Sequence, residues 1–296
     1  MILDVKACYG AALMGLMRIA GKDTAKKFDT WLRFRKRLNL KNPESLRDKV
    51  IYIENHCPSP MTARCTDKWE VRSYVAEKGL ADTLVPVYGT VYRTFEEIPF
   101  DRFPDRFVLK ATHGCKMNYF CADKDTLDLA DCRKTVEKWL RTTYGTYSGE
   151  WHYLDIPHRI YCERYLDDVG RMIDYKFHCM NGIPQFVLVC SGRNSDGHKA
   201  MAVTLDLFDM EWKPIPALVS SGLERAGSGD MPRPKDFEGM VDIARKLSEG
   251  FAFVRVDLYE LHGRIYFGEL TFSPACGVFP YFSDTFLQKM GEKLVQ

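Results

Sequence analysis

The feature that most constrains the fold is a pair of charged, strand-like segments near the end of the chain. Val254-Arg255-Val256-Asp257 and Phe267-Gly268-Glu269-Leu270-Thr271 flank a turn at Leu261-His262-Gly263, so they read as a hairpin. Side chains alternate between the two faces of a strand. Arg255 and Asp257 therefore share one face, as do Glu269 and Thr271, and pairing of the strands gathers all four. Two carboxylates at bonding distance repel unless a cation bridges them, and Mg²⁺ holding phosphates is the ordinary solution. Arg255 is then expected to face a phosphoryl group. The alternative is a structural Arg-Asp-Glu ion-pair ladder.

The 296 residues suit one large domain or two closely joined ones, and 46% hydrophobic with 28% charged residues describes a folded chain. A net charge of +2 gives no general field for nucleic acid, so none is expected as a partner. The ten cysteines are scattered, with no CxxC pair, and the seven histidines show no HExxH spacing. Reduced thiols and no zinc site follow. The apolar run Ala7 to Met17 is too short to span a bilayer, and no small-residue cleavage site follows it. A cytoplasmic protein is expected.

Residues 1–104 read as a mainly helical front module, with breaks at Asn42-Pro43-Glu44-Ser45 and Cys57-Pro58-Ser59-Pro60 and a helical stretch from Thr66 to Lys78. Residues 22–49 hold ten Lys or Arg against four Asp or Glu, a local +6 that leaves the remainder at −4. Within it, Trp31-Leu32-Arg33-Phe34-Arg35-Lys36-Arg37 interleaves apolar and basic residues. That pattern fits a solvated helix face, or a surface helix near an acidic substrate or an anionic membrane.

Beyond Pro104 the periodicity predicts strands at Arg106 to Lys110 and Met117 to Cys121, a helix from Leu129 to Arg141, then strands at Arg159 to Glu163, Ile173 to Met180, Gln185 to Cys190 and Met201 to Leu207. Asn181-Gly182 marks a hairpin. A helix from Lys235 to Glu249 leads into the terminal strands, Phe251 to Tyr259 and Arg264 to Phe272. The class is α+β.

Two further segments carry chemistry. In Phe107-Val108-Leu109-Lys110-Ala111-Thr112-His113-Gly114 an apolar strand delivers a lysine to a polar loop, a placement suited to phosphate. No P-loop or Rossmann motif is present, and a lone lysine at a strand end also has a purely structural reading. Ile160-Tyr161-Cys162-Glu163-Arg164-Tyr165-Leu166, followed by Asp167-Asp168 and Asp174-Tyr175-Lys176-Phe177, resembles a linker whose backbone meets adenine while a carboxylate takes the ribose hydroxyls. An ordinary solvated loop explains the same residues.

Together with Asn39-Leu40-Lys41-Asn42-Pro43 and Thr66-Asp67-Lys68-Trp69-Glu70-Val71-Arg72, these segments resemble, from about Leu38 onward and in the same order, the ATP-grasp superfamily. The likeness is strongest to its TupA-like branch, named for teichuronopeptide biosynthesis and found near capsule and cell-surface polysaccharide genes. The resemblance implies an ATP-grasp fold, with residues 105–166 as a small lobe and 167–296 as a large lobe that carries the metal site. It implies that Lys68 and Lys110 contact phosphates, that Glu163 and the Arg164 to Leu166 backbone hold adenine, and that Asp174 takes ribose with Lys176 nearby. Asp257 and Glu269 then bind Mg²⁺. The family commonly has Asn two residues after the metal-binding Glu, where Thr271 stands here, which weakens the case for a second magnesium. The phosphate loop is poorer in glycine than in many relatives, which implies either a weaker closure over ATP or closure by the His113 and Asn118 side chains.

By the same resemblance the chain is a carboxylate-amine ligase that phosphorylates a carboxylate with ATP and lets an amine attack the acyl phosphate. Arg255 would stabilise the acyl phosphate and the tetrahedral oxyanion. The implied partners are a uronic acid of a surface polysaccharide and an amino acid or small amine, with segment 22–49 receiving the acidic glycan or touching membrane-associated glycan machinery at the inner membrane face. Two other classes stay open: a non-catalytic carbohydrate-binding or scaffold protein, and a nucleotidyltransferase with Lys110 as nucleophile. The spacing around Lys110 departs from the KxDG arrangement of the latter.

Overall fold

Two β-sheets divide the charged residues singled out above. The computed structural model describes residues 5–166, 173–192, 203–219 and 224–295, so Asp167, Asp168 and Met201 lie outside the described residues. Four helices come first: α1 (Val5–Phe34), α2 (Leu46–His56), α3 (Pro60–Thr66) and α4 (Glu70–Glu77). Helix α1 is broken at Gly21, whose φ of 83° is readily available to glycine alone. Ser45 and Ser59 cap α2 and α3 through their hydroxyls, which accept from Asp48 N and Met61 N, and the predicted breaks fall there.

The smaller sheet contains β1 (Val87–Tyr92), β2 (Phe107–Ala111), β3 (Asn118–Cys121) and β4 (Ile160–Arg164), in the antiparallel order β1-β4-β2-β3. Alternation turns Phe107, Leu109, Ala111, Ile160 and Cys162 into a core with Cys132 and Val136 of α5 (Leu129–Leu140). Lys110, Tyr161 and Glu163 share the opposite face. Strand β1 precedes residue 105, the expected start of the small lobe, and joins the same sheet: Val87 to Tyr92 pair with Glu163 to Ile160 across an irregular register. That bulge and the exposed Gly89 and Thr90 hide the alternation a sequence reading relies on.

After the short helix α6 (Tyr144–Ser148), the larger sheet contains β5 (Asp174–Met180), β6 (Ile183–Ser191), β7 (Val203–Phe208), β8 (Glu224–Ala226), β9 (Phe253–Leu261) and β10 (Arg264–Thr271). Their order is β10-β9-β5-β6-β7-β8, antiparallel except between β7 and β8. Both predicted hairpins form on two-residue turns with positive φ, at Asn181-Gly182 and His262-Gly263. On one face Phe177, Val187, Val254, Val256 and Leu258 meet Phe237, Met240, Ala244 and Leu247 of α7 (Phe237–Ser248). On the other, Phe186, Leu188, Leu207 and Phe253 pack on Phe279, Phe282 and Leu287, the last from α8 (Asp284–Lys293). Each such side chain contributes about 1.5–3 kcal/mol by leaving water, which offsets the cost of the charges buried beside them.

Candidate nucleotide site

Strand register builds the charged cluster of the larger sheet. Asp257 stands opposite Glu269 and Arg255 opposite Thr271 across β9 and β10, while Lys176 of β5 stands opposite Asp257 from the other side. Between Phe267 and Glu269 the register shifts by one residue at Gly268. A Cβ there would come within 2.8 Å of the Tyr259 ring and 3.0 Å of the Asp257 carbonyl, so the bulge needs glycine. The bulge aims Glu269 and Thr271 at the Arg255 and Asp257 face.

On that face the Arg255 guanidinium donates from Nε to Asp257 Oδ1 at 2.6 Å and from Nη2 to Asp257 Oδ2 at 2.7 Å. Nη2 also reaches Glu269 Oε1 and Thr271 Oγ1, each at 3.0 Å, and the Thr271 hydroxyl donates to Glu269 Oε1 at 3.0 Å. The Lys176 ammonium donates to Asp257 and lies 3.4 Å from Asp174 Oδ2. Burial, the largest single influence, disfavours charge on both cations, yet their acidic partners together outweigh it, Asp257 with Asp174 for Lys176 and Asp257 with Glu269 for Arg255, and hold each above its ordinary pKa. Burial by itself would raise the Glu269 carboxyl, but Lys68, Arg255 and Lys176 together bring it down to about 2.

The hairpin therefore gathers the four side chains as expected, and one step of the sequence argument is corrected. Repulsion between Asp257 and Glu269 does not by itself call for a metal, because Arg255 bridges them, Lys176 backs Asp257, and Lys68 Nζ stands 3.6 Å from Glu269 Oε2. Arg255 likewise turns Nε and Nη2 onto these partners rather than onto an open phosphoryl site. Two carboxylates and a hydroxyl are nonetheless the hard oxygen donors that Mg²⁺ takes, and the Glu269 side chain keeps 26% of its surface exposed. Among the described residues no group of three or more His, Cys, Asp or Glu gathers as a metal site.

On the smaller sheet the Lys110 ammonium pairs with Glu163 across β2 and β4. Glu163 also receives the Tyr161 hydroxyl at 3.4 Å and lies 3.6 Å from Arg72 Nη1. The Arg164 N–H donates to the Pro86 carbonyl at 2.9 Å, and the Leu166 side chain packs with Val85 and Tyr266. Of the Arg164 backbone, the N–H is thus taken within the protein. His113 departs from expectation. It is fully buried and stacked on His158 at 4.1 Å, with Nε2 2.9 Å from the Trp139 carbonyl, so the ring serves the lobe interior rather than the loop surface. Burial pushes its pKa down to about 4.

One segment joins the two charged sets. Lys68, in the turn before α4, and Arg72, in its first turn, reach Glu269 on the larger sheet and Glu163 on the smaller. The Lys68 N–H donates to the Thr112 carbonyl at 3.2 Å, and Asp67 Oδ2 accepts from Arg159 Nη2 at 2.7 Å. The sequence reading assigned Lys68 but gave no role to Arg72, Asp67, Arg159 or Tyr161. Helical spacing of Lys68 and Arg72 was the available signal. A cavity of about 1110 Å³ lies behind this segment, lined by Asp67, Tyr74, His152, Arg159, Phe251 and Phe272 among others, and by none of the residues predicted for nucleotide or metal.

Half of the basic residues in the segment are engaged within the protein. Lys26 is fully buried against Glu54 and the Gly149 carbonyl, Arg33 and Arg47 bond the Ser148 and Val278 carbonyls, Lys36 pairs with Asp284, and Lys49 bonds the Gly291 and Leu294 carbonyls. Lys26 and Arg47, both buried, cannot serve a glycan without undoing the packing of α1 and α2.

The TupA-like ATPgrasp family model matches residues 48–295. No curated protein matches the chain. Among solved structures, a D-alanine–D-alanine ligase from Bacillus anthracis complexed with ATP is 14% identical, covers 72% of this chain and 57% of its own, and has a TM-score of 0.41. The D-alanine–D-alanine ligase from Helicobacter pylori is 10% identical over 78% of this chain and 61% of its own, with a TM-score of 0.43. D-cycloserine synthetase DcsG is 16% identical over 80% of this chain and 73% of its own, with a TM-score of 0.45. The chain thus spans about three fifths of the length of the two D-alanine–D-alanine ligases.

Proposed function

Since the chain belongs to the TupA-like ATP-grasp family, we propose that it is an ATP-dependent, ADP-forming carboxylate-amine ligase. It acts through an acyl phosphate and joins a uronic acid of a capsular or cell-surface polysaccharide to an amino acid or small amine. The observation that supports this reading is the reach of Lys68 and Arg72, from one short segment, to acids on two different sheets.

In this reading Lys110 exchanges Glu163 for a nucleotide phosphate, and Lys68 turns from Glu269 to the transferring group, so that both ammonium groups spread the charge that develops on its oxygens. Glu163, released from Lys110, and the Arg164 to Leu166 backbone meet adenine, and Asp174 meets ribose. Arg255 and Lys176 hold Asp257 in place, and with Lys68 they keep Glu269 ionised. Magnesium held by Glu269 and Asp257, with Thr271 beside them, would supply charge neutralisation at the phosphates. The amine then displaces phosphate from the acyl carbon, and no covalent bond to the enzyme forms.

The test is a screen of ATP turnover against pairs of uronic acids and amines. ADP and phosphate appearing only when an acid and an amine are both present supports the reading. Nucleotide binding with no turnover for any pair favours a binding or scaffold role, and an adenylylated Lys110 favours the nucleotidyltransferase.

A further inference from the structure

Helix α1 precedes residue 48, where the family match begins, and its two faces have different fates. One is fixed. Lys26 and Asp29 are buried, and Arg33 reaches Asp29 at 3.1 Å, the Ser148 carbonyl at 3.2 Å and Cys276 Sγ at 3.1 Å. The other lies open: Phe28, Trp31 and Leu32 keep 45%, 49% and 37% of their surface exposed, and Ile19, beyond the Gly21 break, keeps 89%. Phe28, Trp31, Leu32 and Arg35 follow the i, i+3, i+4, i+7 spacing of a single stripe. Lys27 and Arg35 are exposed beside it, with the Arg35 guanidinium 4.9 Å from the Trp31 ring centroid, and Arg18, Arg37 and Lys41 are exposed before and after it in the sequence. Between residues 18 and 41 the acids are Asp23 and Asp29 alone. Asp23 is held by Asn55 at 2.8 Å and His56 at 3.0 Å, and Asp29 is buried, so neither offsets the basic face.

We propose that this face of α1 docks the protein on an anionic phospholipid bilayer. Aromatic and aliphatic side chains ringed by cations are the chemistry of an interfacial helix, where the apolar stripe enters the acyl boundary and the cations meet lipid phosphates. Among the described residues no helix is long and apolar enough to cross a membrane, so the contact is with the surface. A second copy of the chain would set Lys27 and Arg35 against like charges. A soluble polyanion would use the cations but leave Ile19, Phe28, Trp31 and Leu32 in water. The proposal is independent of the ligase reading, since none of these residues belongs to the nucleotide cleft.

The full chain should sediment with vesicles of phosphatidylcholine and phosphatidylglycerol and not with phosphatidylcholine alone, and added salt should release it. Lys27→Glu with Arg35→Glu should weaken binding by at least about 25-fold, roughly fivefold for each cation removed. Phe28→Ser with Trp31→Ser should weaken it by at least about tenfold while leaving the melting temperature within a few degrees. Brominated lipid should quench part of the tryptophan fluorescence of the unaltered chain and quench less in Trp31→Phe, a readout that needs no destabilising change. Equal binding to both vesicle types, no binding to either, or binding and quenching indifferent to these substitutions would overturn the proposal. So would a concentration-dependent dimer that the same substitutions abolish, because the face would then belong to a second copy.

Discussion

Two cation-acid groups sit across neighbouring strands in this protein, and they differ in how firmly they are held. On the smaller sheet Lys110 meets one acid, Glu163, and keeps 28% of its side chain exposed. On the larger sheet Asp257, 1% exposed, lies between the Arg255 guanidinium and the Lys176 ammonium, and Arg255 also binds Glu269 and Thr271. Glu163 is itself buried, but the partly exposed Lys110 ammonium is open to a competing anion, whereas the 1% exposed Asp257 is enclosed by its two cations. The smaller sheet thus offers an ammonium that an incoming phosphate can take, and the larger offers a rigid set of acids.

Arg255→Met is the strongest way to break that contrast. It leaves the buried Asp257 with Lys176 alone and Glu269 with Thr271 and the more distant Lys68, and a loss of about 3–5 kcal/mol in urea unfolding is expected. A loss below about 1 kcal/mol would mean that the cluster is no more fixed than a surface pair. Acid titration gives the next largest effect. His113, pushed down to about 4, and His178, pushed well below its ordinary value by burial and by Arg255, are neutral when folded. The unfolded chain takes up their protons first, so their contribution is complete above about pH 6.5 and is lost as pH falls toward 4. Glu269 adds a loss of the same sign at lower pH: its contribution is complete above its unfolded pKa and is lost progressively as pH falls from there to about 2. His113→Gln should flatten the dependence of the urea midpoint between pH 6.5 and 4, and an unchanged slope would show that its ring is charged when folded.

Lys110→Met should shift stability by about 1 kcal/mol or less, since Glu163 retains Tyr161 and Arg72, yet it should abolish ADP formation. Near-normal ATP affinity and turnover would remove Lys110 from the site. Thr271→Val, which takes one hydroxyl from between Arg255 and Glu269, should cost about 1 kcal/mol. Thr271→Asn should keep an oxygen there and retain activity, and a larger loss from Asn than from Val would show that shape rather than the oxygen matters.

What was legible in the sequence follows the same division. Alternation over β9 and β10 and the Leu261-His262-Gly263 turn located the hairpin and the shared face of Arg255, Asp257, Glu269 and Thr271, because both are local properties of a strand pair. Lys176 beside Asp257 was not legible, since it depends on β5 pairing with a strand some eighty positions away. Strand β1 was hidden by its bulge and exposed middle. His113 looked like a loop ligand because it neighbours Gly114, but its stacking on His158 depends on how residues 140–158 fold back over β2. Charge counting found the basic segment 22–49 without distinguishing Lys26, turned to Glu54, from Lys27, turned to solvent.

The central claim is that the two charged sets act on one nucleotide and pass its terminal phosphoryl group to a carboxylate. Turnover of an acid labelled with ¹⁸O in its carboxylate tests it most directly. The account predicts ADP and phosphate carrying one ¹⁸O atom from the acid, as the acyl phosphate requires. Label appearing in AMP, with pyrophosphate as the other product, would contradict it.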